Sequence, residues 1–281
     1  MVRKVTTTPV LNIADHIKPV SAMDLVIAAL FYGRSGTGKT TLAASFPGPI
    51  LLIDFNEKGW DSVSDHDNLE VIRVTSWEMV EPLYWYIKKN SSKYKTIIID
   101  QVSSMQGMCR VQVTEDTGKT EGFKYWGTVS GEMLTWLGNY RNLIDDGINV
   151  VFLAHLRSNK TDDDDDEDDE TLDPNIGPML MPSVAEALQG AVKIIGNTYI
   201  RERYGPRDEN TKKRPRVVEY CLRVGPNGAY RTKLRTPKGN VVPSFISDPT
   251  YDKLYKLMKD GFKKPEVKVQ PTAVKRKVTA A

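Results

Sequence analysis

Apolar residues fall into short unbroken runs separated by polar, turn-forming stretches. Met23 to Tyr32, apolar but for Asp24, is the first such run, as expected of a strand buried on both faces. Ile50 to Phe55, Leu69 to Val74, Thr96 to Asp100 and Asn149 to Ala154 repeat the pattern. Between them the period changes. Thr40 to Phe46 reads as a short helix stopped by Pro47-Gly48-Pro49, and Trp77 to Lys89 reads as helical although Pro82 interrupts it. Tyr125 to Asp145 gives the clearest helical stripe, with Val129, Met133, Trp136, Leu137, Tyr140 and Ile144 on one side. Strands alternating with helices at this spacing predict an α/β fold with a mostly parallel central sheet flanked by helices.

Beyond Ala154 the pattern shifts. Ser183 to Gly190 predicts a helix, and Val192 to Tyr204, Val217 to Val224 and Tyr230 to Arg235 predict a C-terminal β-hairpin extension. Asp248-Pro249 is placed to cap a last helix bearing Tyr251, Leu254, Leu257 and Met258 on one face. The expected organisation is an N-terminal arm over 1–20, a core over 21–245 with an acidic disordered loop at 158–175, and a C-terminal helix and basic tail over 246–281.

Composition narrows the function classes. The chain has 281 residues with 40% hydrophobic and 27% charged, ordinary for a globular protein. The longest apolar run, Leu25 to Tyr32, is far short of the roughly 20 residues that span a bilayer. Two cysteines, Cys109 and Cys221, imply no disulfide framework, so a cytoplasmic, reduced setting without membrane association is expected. The net charge of +3 hides a segregation. Asp162 to Glu170 is an unbroken acidic run, and the rest of the chain carries +12. Basic clusters at Arg201 to Arg216 and Lys263 to Lys277 suit a polyanion such as nucleic acid.

The chemistry is carried first by Gly33-Arg34-Ser35-Gly36-Thr37-Gly38-Lys39-Thr40, which fits G-x-x-x-x-G-K-[ST]. Glycines let the backbone wrap phosphates, and the N–H groups and helix start supply positive potential. Together with Thr41 these residues form the expected ATP site. Lys39 is placed for the β- and γ-phosphates and Thr40 for Mg²⁺. A second magnesium ligand is expected at a strand end facing the same crevice, and Asp100 in Lys95-Thr96-Ile97-Ile98-Ile99-Asp100 fits. Hydrolysis needs a group to activate water. Asp54 and Glu57 both follow the second strand, with Glu57 favoured. His155, ending the fifth strand, is placed to sense the γ-phosphate.

Four segments, GRSGTGKTTLAASFP, LLIDFNE, YKTIIIDQVSSM and NVVFLAHLRS, followed by Tyr230-Arg231-Thr232-Lys233-Leu234-Arg235, resemble the RecA-like core P-loop ATPases. The likeness runs over residues 23–236 and is greatest to phage-encoded nucleotide-binding and recombination proteins of the Sak type. It implies a fifth strand lying between the phosphate-loop strand and the Asp100 strand. It implies homo-oligomers, rings or filaments, with ATP at subunit boundaries and Lys233 and Arg235 reaching a neighbour's ATP. It also implies a role in single-strand annealing or strand exchange. One departure concerns the base: the family's acid-x-acid is here Asp54-Phe55-Asn56, with Glu57 one residue late.

Single-stranded DNA is the expected partner. Contacts would come from Arg157, Lys160, Arg201, Arg203, Lys212, Lys213, Arg214 and Arg216, with Tyr199, Tyr204 and Tyr230 available for base stacking or for core packing. Two other readings stay open. One is a loader or motor ATPase acting on a replication, packaging or single-strand-binding protein. The other is a non-hydrolysing, nucleotide-gated interaction protein.

Overall fold

The computed structural model describes residues 17, 19, 25–158, 176–207, 214–237 and 240–260. The acidic run, the basic tail and nearly all of the N-terminal arm lie outside them. One sheet of ten strands organises the rest. Its path runs β10 (Phe245–Ser247), β8 (Arg216–Arg223), β7 (Ile194–Tyr204), β1 (Ala28–Gly33), β5 (Asn149–Ser158), β4 (Thr96–Asp100), β2 (Ile50–Asp54), β3 (Leu69–Arg73). Two short strands hang off this path: β6 (Ile176–Pro178) on β5 and β9 (Lys233–Leu234) on β7. The segment from β7 to β3 is parallel throughout. β5 lies between β1 and β4, the placement that the family resemblance implies.

The unbroken apolar runs are explained by two covered faces. Every residue of β1, β2 and β4 is buried. Alternate residues of β1 enter opposite cores. Leu30 and Tyr32 pack on one side with Ile53, Ile97 and Phe152, under α2 (Val80–Lys89), α3 (Val102–Thr117), α4 (Phe123–Arg141) and α5 (Pro182–Ala191). Ala29 and Phe31 pack on the other with Leu52, Ile98 and Val151, under α1 (Lys39–Ala44) and α6 (Tyr251–Asp260). The strand starts are tied by Asn149. Its Oδ1 accepts from the Ile27 N–H at 2.8 Å and its Nδ2 donates to the Lys95 carbonyl at 3.2 Å.

Several elements depart from the sequence expectation. α2 begins only at Val80, so Pro82 sits in its first turn, where the missing N–H has no helical partner to lose. α3 is absent from the pattern because Val102, Met105, Cys109 and Val113 form a thin apolar seam among weak helix formers. Packing against β5 and α4 sustains it. β5 continues to Ser158 because β6 pairs antiparallel with its last residues, so His155 lies within a strand and does not end it. The strand expected over Tyr230 to Arg235 contracts to β9, two residues long.

The expected β-hairpin extension continues the central sheet. β8 pairs antiparallel with β7 over eight residues, and β10 with β8. The domain boundary expected after residue 245 therefore falls inside β10. α6 is capped by Thr250, whose hydroxyl accepts from the Lys253 N–H at 3.4 Å, in place of Asp248-Pro249. Its Leu254 and Met258 are buried in the core under α1. Replacing Leu254 with alanine should cost about 2–4 kcal/mol in urea unfolding, as for a buried leucine. A change within about 0.5 kcal/mol, typical of surface positions, would place α6 outside the cooperative body.

Candidate functional site

The parallel strands end along one edge, and the cavity there measures about 720 Å³. Ser35 through Leu42 line it. Gly38 has φ of +82°, a left-handed conformation that turns the loop into α1 and that glycine adopts without penalty. The Thr37 hydroxyl shares a 2.7 Å hydrogen bond with the Thr198 hydroxyl, bracing the loop against β7. Gly33 is buried at the end of β1 and Arg34 is exposed; neither lines the cavity. Their carbonyls instead accept from Lys39 Nζ, at 3.2 and 2.9 Å. Burial pulls the Lys39 ammonium below its ordinary pKa, and the nearby Asp100 and Glu57 carboxylates oppose that pull.

Thr40 and Asp100 meet in this cavity, the Thr40 hydroxyl donating to Asp100 Oδ2 at 3.0 Å. Burial raises the Asp100 carboxyl to a pKa of about 6, against the Thr40 hydrogen bond and the Lys39 charge, which lower it. Gly59 packs against this pair, where any side chain would crowd its oxygens. A Cβ there would lie 2.2 Å from Asp100 Oδ2 and 3.1 Å from Thr40 Oγ1. A hydroxyl and one carboxylate are hard oxygen donors of the kind magnesium takes alongside phosphates and water. Among the described residues no cluster of three or more His, Cys, Asp or Glu forms an all-protein metal cage. The donor set therefore fits magnesium brought in with a nucleotide.

The acid that ends β2 and the acid three residues beyond it have different surroundings. Asp54 is fully buried, and its Oδ1 accepts from the Glu57 and Lys58 N–H groups at 2.8 and 3.0 Å. It holds the turn that presents Glu57. Glu57 lines the cavity, where its Oε1 accepts from the Ser104 hydroxyl and its Oε2 lies 3.6 Å from His155 Nε2. His155 is the last residue of β5 in register with β1, opposite Gly33. Its Nε2 lies 2.6 Å from the Gln101 amide nitrogen, and Gln101 Oε1 is buried without a partner. Gln101 and Ser104 fall in the segment YKTIIIDQVSSM, which gives them no role, and Gly59 falls in no motif. Their one signal was position, as polar or small residues just past a buried strand.

The remaining expected residues lie elsewhere. Lys233 and Arg235 sit at the opposite end of the sheet. There Lys233 pairs with Ile195, and both side chains donate to the Gly190 carbonyl, Lys233 to Gln189 as well. In their own chain they cap the C-terminal end of α5. On the β7–β8 ribbon, Arg201 and Arg203 pair with Glu219, and Arg216 with Glu202. Arg157 and Arg214 are exposed. Lys160, Lys212 and Lys213 lie outside the described residues. Tyr199 and Tyr230 enclose the Arg223 guanidinium, at 3.5 and 4.3 Å to their ring centres, which makes them packing groups; Tyr204 is exposed.

A carboxyl raised from 3.8 to about 6 has a definite effect on stability. Between those values the folded chain binds more protons than the unfolded one, so stability falls as pH rises through that window. The loss is complete above pH 6 and is worth up to roughly 3 kcal/mol. Asp100→Asn, which cannot ionise, should therefore raise the thermal midpoint of the nucleotide-free protein at pH 7.5. The gain should shrink as pH falls toward 4. Equal midpoints of variant and wild type at every pH would show that Asp100 ionises without penalty.

Comparison with known proteins adds the family. No curated protein matches the chain. Among solved structures it is similar to the flagellar accessory protein FlaH from Methanocaldococcus jannaschii, at TM-score 0.40 and 9% identity, covering 70% of this chain and 76% of that one. It is also similar to a KaiC-like protein from Pyrococcus horikoshii OT3, at TM-score 0.37 and 12% identity, covering 72% and 88%. Likeness at that level adds nothing to what the sheet order already gives. The family model is of a different weight: the model described as AAA domain matches residues 27–236, most of the chain and the whole of the parallel sheet. The chain belongs to the AAA domain family, as a P-loop ATPase.

Proposed function

We propose that this ATPase binds ATP with magnesium at the 33–41 loop, hydrolyses it with Glu57 activating water, and couples turnover to single-stranded DNA. The observation that supports the catalytic part is the convergence of Lys39, the Thr40–Asp100 pair and Glu57 on one cavity. Lys39 would move from its carbonyl contacts to the β- and γ-phosphate oxygens. Thr40 and Asp100 would hold the magnesium, which when bound supplies positive charge against those oxygens. The Glu57 carboxylate, fixed by Ser104 and by the turn that Asp54 holds, accepts the proton of the attacking water. His155 touches both Glu57 and Gln101 and acts as a positioning residue between them.

The DNA part rests on the +12 carried by the chain outside its acidic run, and on the resemblance to Sak-type recombination proteins. In this reading the protein is phage-encoded and works in recombination or repair as a ring or filament. Lys233 and Arg235 leave their α5 carbonyls to serve the ATP of a neighbouring subunit. One observation favours a second reading. Glu219 and Glu202 engage three of the arginines that DNA would need. A replication or single-strand-binding protein, contacted by a loader or a nucleotide-gated switch, would use that mixed surface better than bare DNA.

The test is the ATPase rate of the purified chain with and without single-stranded DNA at low salt, where phosphate contacts are strongest. Turnover should rise with DNA. Lys39→Ala should abolish it, and Glu57→Gln should lower it by about 10²–10⁴-fold with ATP still bound. Turnover unchanged by DNA would select the protein-partner reading. Full activity in Glu57→Gln would remove Glu57 as the base.

A further inference from the structure

The cavity that receives the phosphate loop has a second wall that a triphosphate alone does not need. Tyr220, Asp248, Pro249 and Thr250 make it. They lie some 180 to 210 positions beyond the loop in the sequence, and only the order of the sheet brings them to it. The Tyr220 ring lies over Gly38: a Cβ at Gly38 would meet Tyr220 Cδ1 at 3.2 Å. Yet 44% of Tyr220 is accessible, so a flat aromatic surface remains open beside the phosphate site.

This wall is held in place from both sides. Asp248 turns the chain with φ of +45°, and its N–H donates to the Tyr220 carbonyl at 2.7 Å. Lys253 Nζ donates to the Ser247 and Asp248 carbonyls at 2.9 and 2.7 Å. Three residues past Asp248, the Tyr251 N–H donates to Ser45 Oγ, at the end of α1, at 2.8 Å. The Tyr251 ring packs 4.9 Å from that of Phe46. The helix that starts at the phosphate loop therefore carries the turn with it. A preorganised aromatic face, with a few polar groups at its rim, is the form a small-molecule subsite takes.

We propose that this wall is the nucleobase subsite, in which the Tyr220 ring stacks on a purine while Pro249 and Thr250 close its edge. The proposal rests on the triphosphate sitting in the 33–41 loop. Stacking strength grows with the size of the base, which favours a purine over a pyrimidine. The Thr250 hydroxyl and the Asp248 carboxylate both accept hydrogen bonds, and adenine and guanine each carry an exocyclic amino group to donate.

Calorimetric titration of the full chain with ATP, GTP, CTP and inorganic tripolyphosphate, each with magnesium, tests this. ATP or GTP should bind more tightly than CTP and tripolyphosphate. Tyr220→Ala should weaken the purine nucleotide by about tenfold or more and leave tripolyphosphate unchanged. Tyr220→Phe, which keeps the ring, should bind as wild type does. Retained tripolyphosphate binding shows that the alanine variant is folded. Equal weakening of tripolyphosphate and ATP in Tyr220→Ala would mean the ring only supports the loop, and would overturn the proposal. So would wild-type binding of ATP no tighter than of tripolyphosphate, while leaving the phosphate site intact. Failure of the wild type to bind any of the four would instead sink the phosphate-site reading beneath it.

Discussion

Parallel register is the constraint on which the site depends. β1, β5, β4 and β2 are aligned so that Gly33 lies opposite His155, Asp100 opposite Leu153, and Asp54 opposite Asp100. A slip of one residue would exchange the side chains of two differently packed cores, so packing on both faces holds this register. It brings the phosphate loop, Asp100 and the turn carrying Glu57 to one sheet edge. In parallel α/β sheets that edge is where ligands bind.

The same burial that secures the register creates a liability at its end. Asp100 is a carboxylate in a poorly hydrated place, with a raised pKa, and Lys39 beside it has a lowered one. Gln101 Oε1, at the cavity, is buried without a hydrogen-bond partner, whereas Asp54 Oδ2, away from the cavity lining, faces the Arg73 guanidinium at 4.0 Å. Unsatisfied polar groups at one end of an otherwise apolar sheet do not serve stability. They make sense as a site whose electrostatics are completed by a cation and an anionic ligand. Glu57, His155 and Gln101 form a side-chain chain across the cavity, so a shift at one is felt at the others.

The outer strands act on the site through geometry. β7 continues the parallel sheet beside β1, and its Thr198 braces the phosphate loop. β8 and β10 then turn antiparallel and return the chain to the mouth of the cavity. There the 248–250 turn and α6 lock onto the end of α1. The C-terminal hairpin extension and the turn before α6 thus supply part of the wall.

Much was legible in the sequence. Continuous apolar runs marked the buried strands, and β4 was placed to the residue, because a strand covered on both faces leaves a local signature. The phosphate loop was legible because its chemistry needs glycines and a lysine at fixed spacing. The place of Asp100 beside Thr40 in the cavity was legible because strand ends in such a sheet share one edge. Other features depended on distant partners. α3 has too thin a seam to announce itself, β5 is lengthened by a strand some twenty residues away, and the roles of Asp54 and Glu57 separate only by where their oxygens find N–H groups. Tyr220 and the Asp248–Thr250 turn carry no motif at all. The sequence by itself determined which segments bury themselves and where the phosphate-loop motif lies, since these follow from local pattern. Which side chains share the cavity was decided by tertiary structure, because pairing between remote strands sets those distances and no local pattern encodes it.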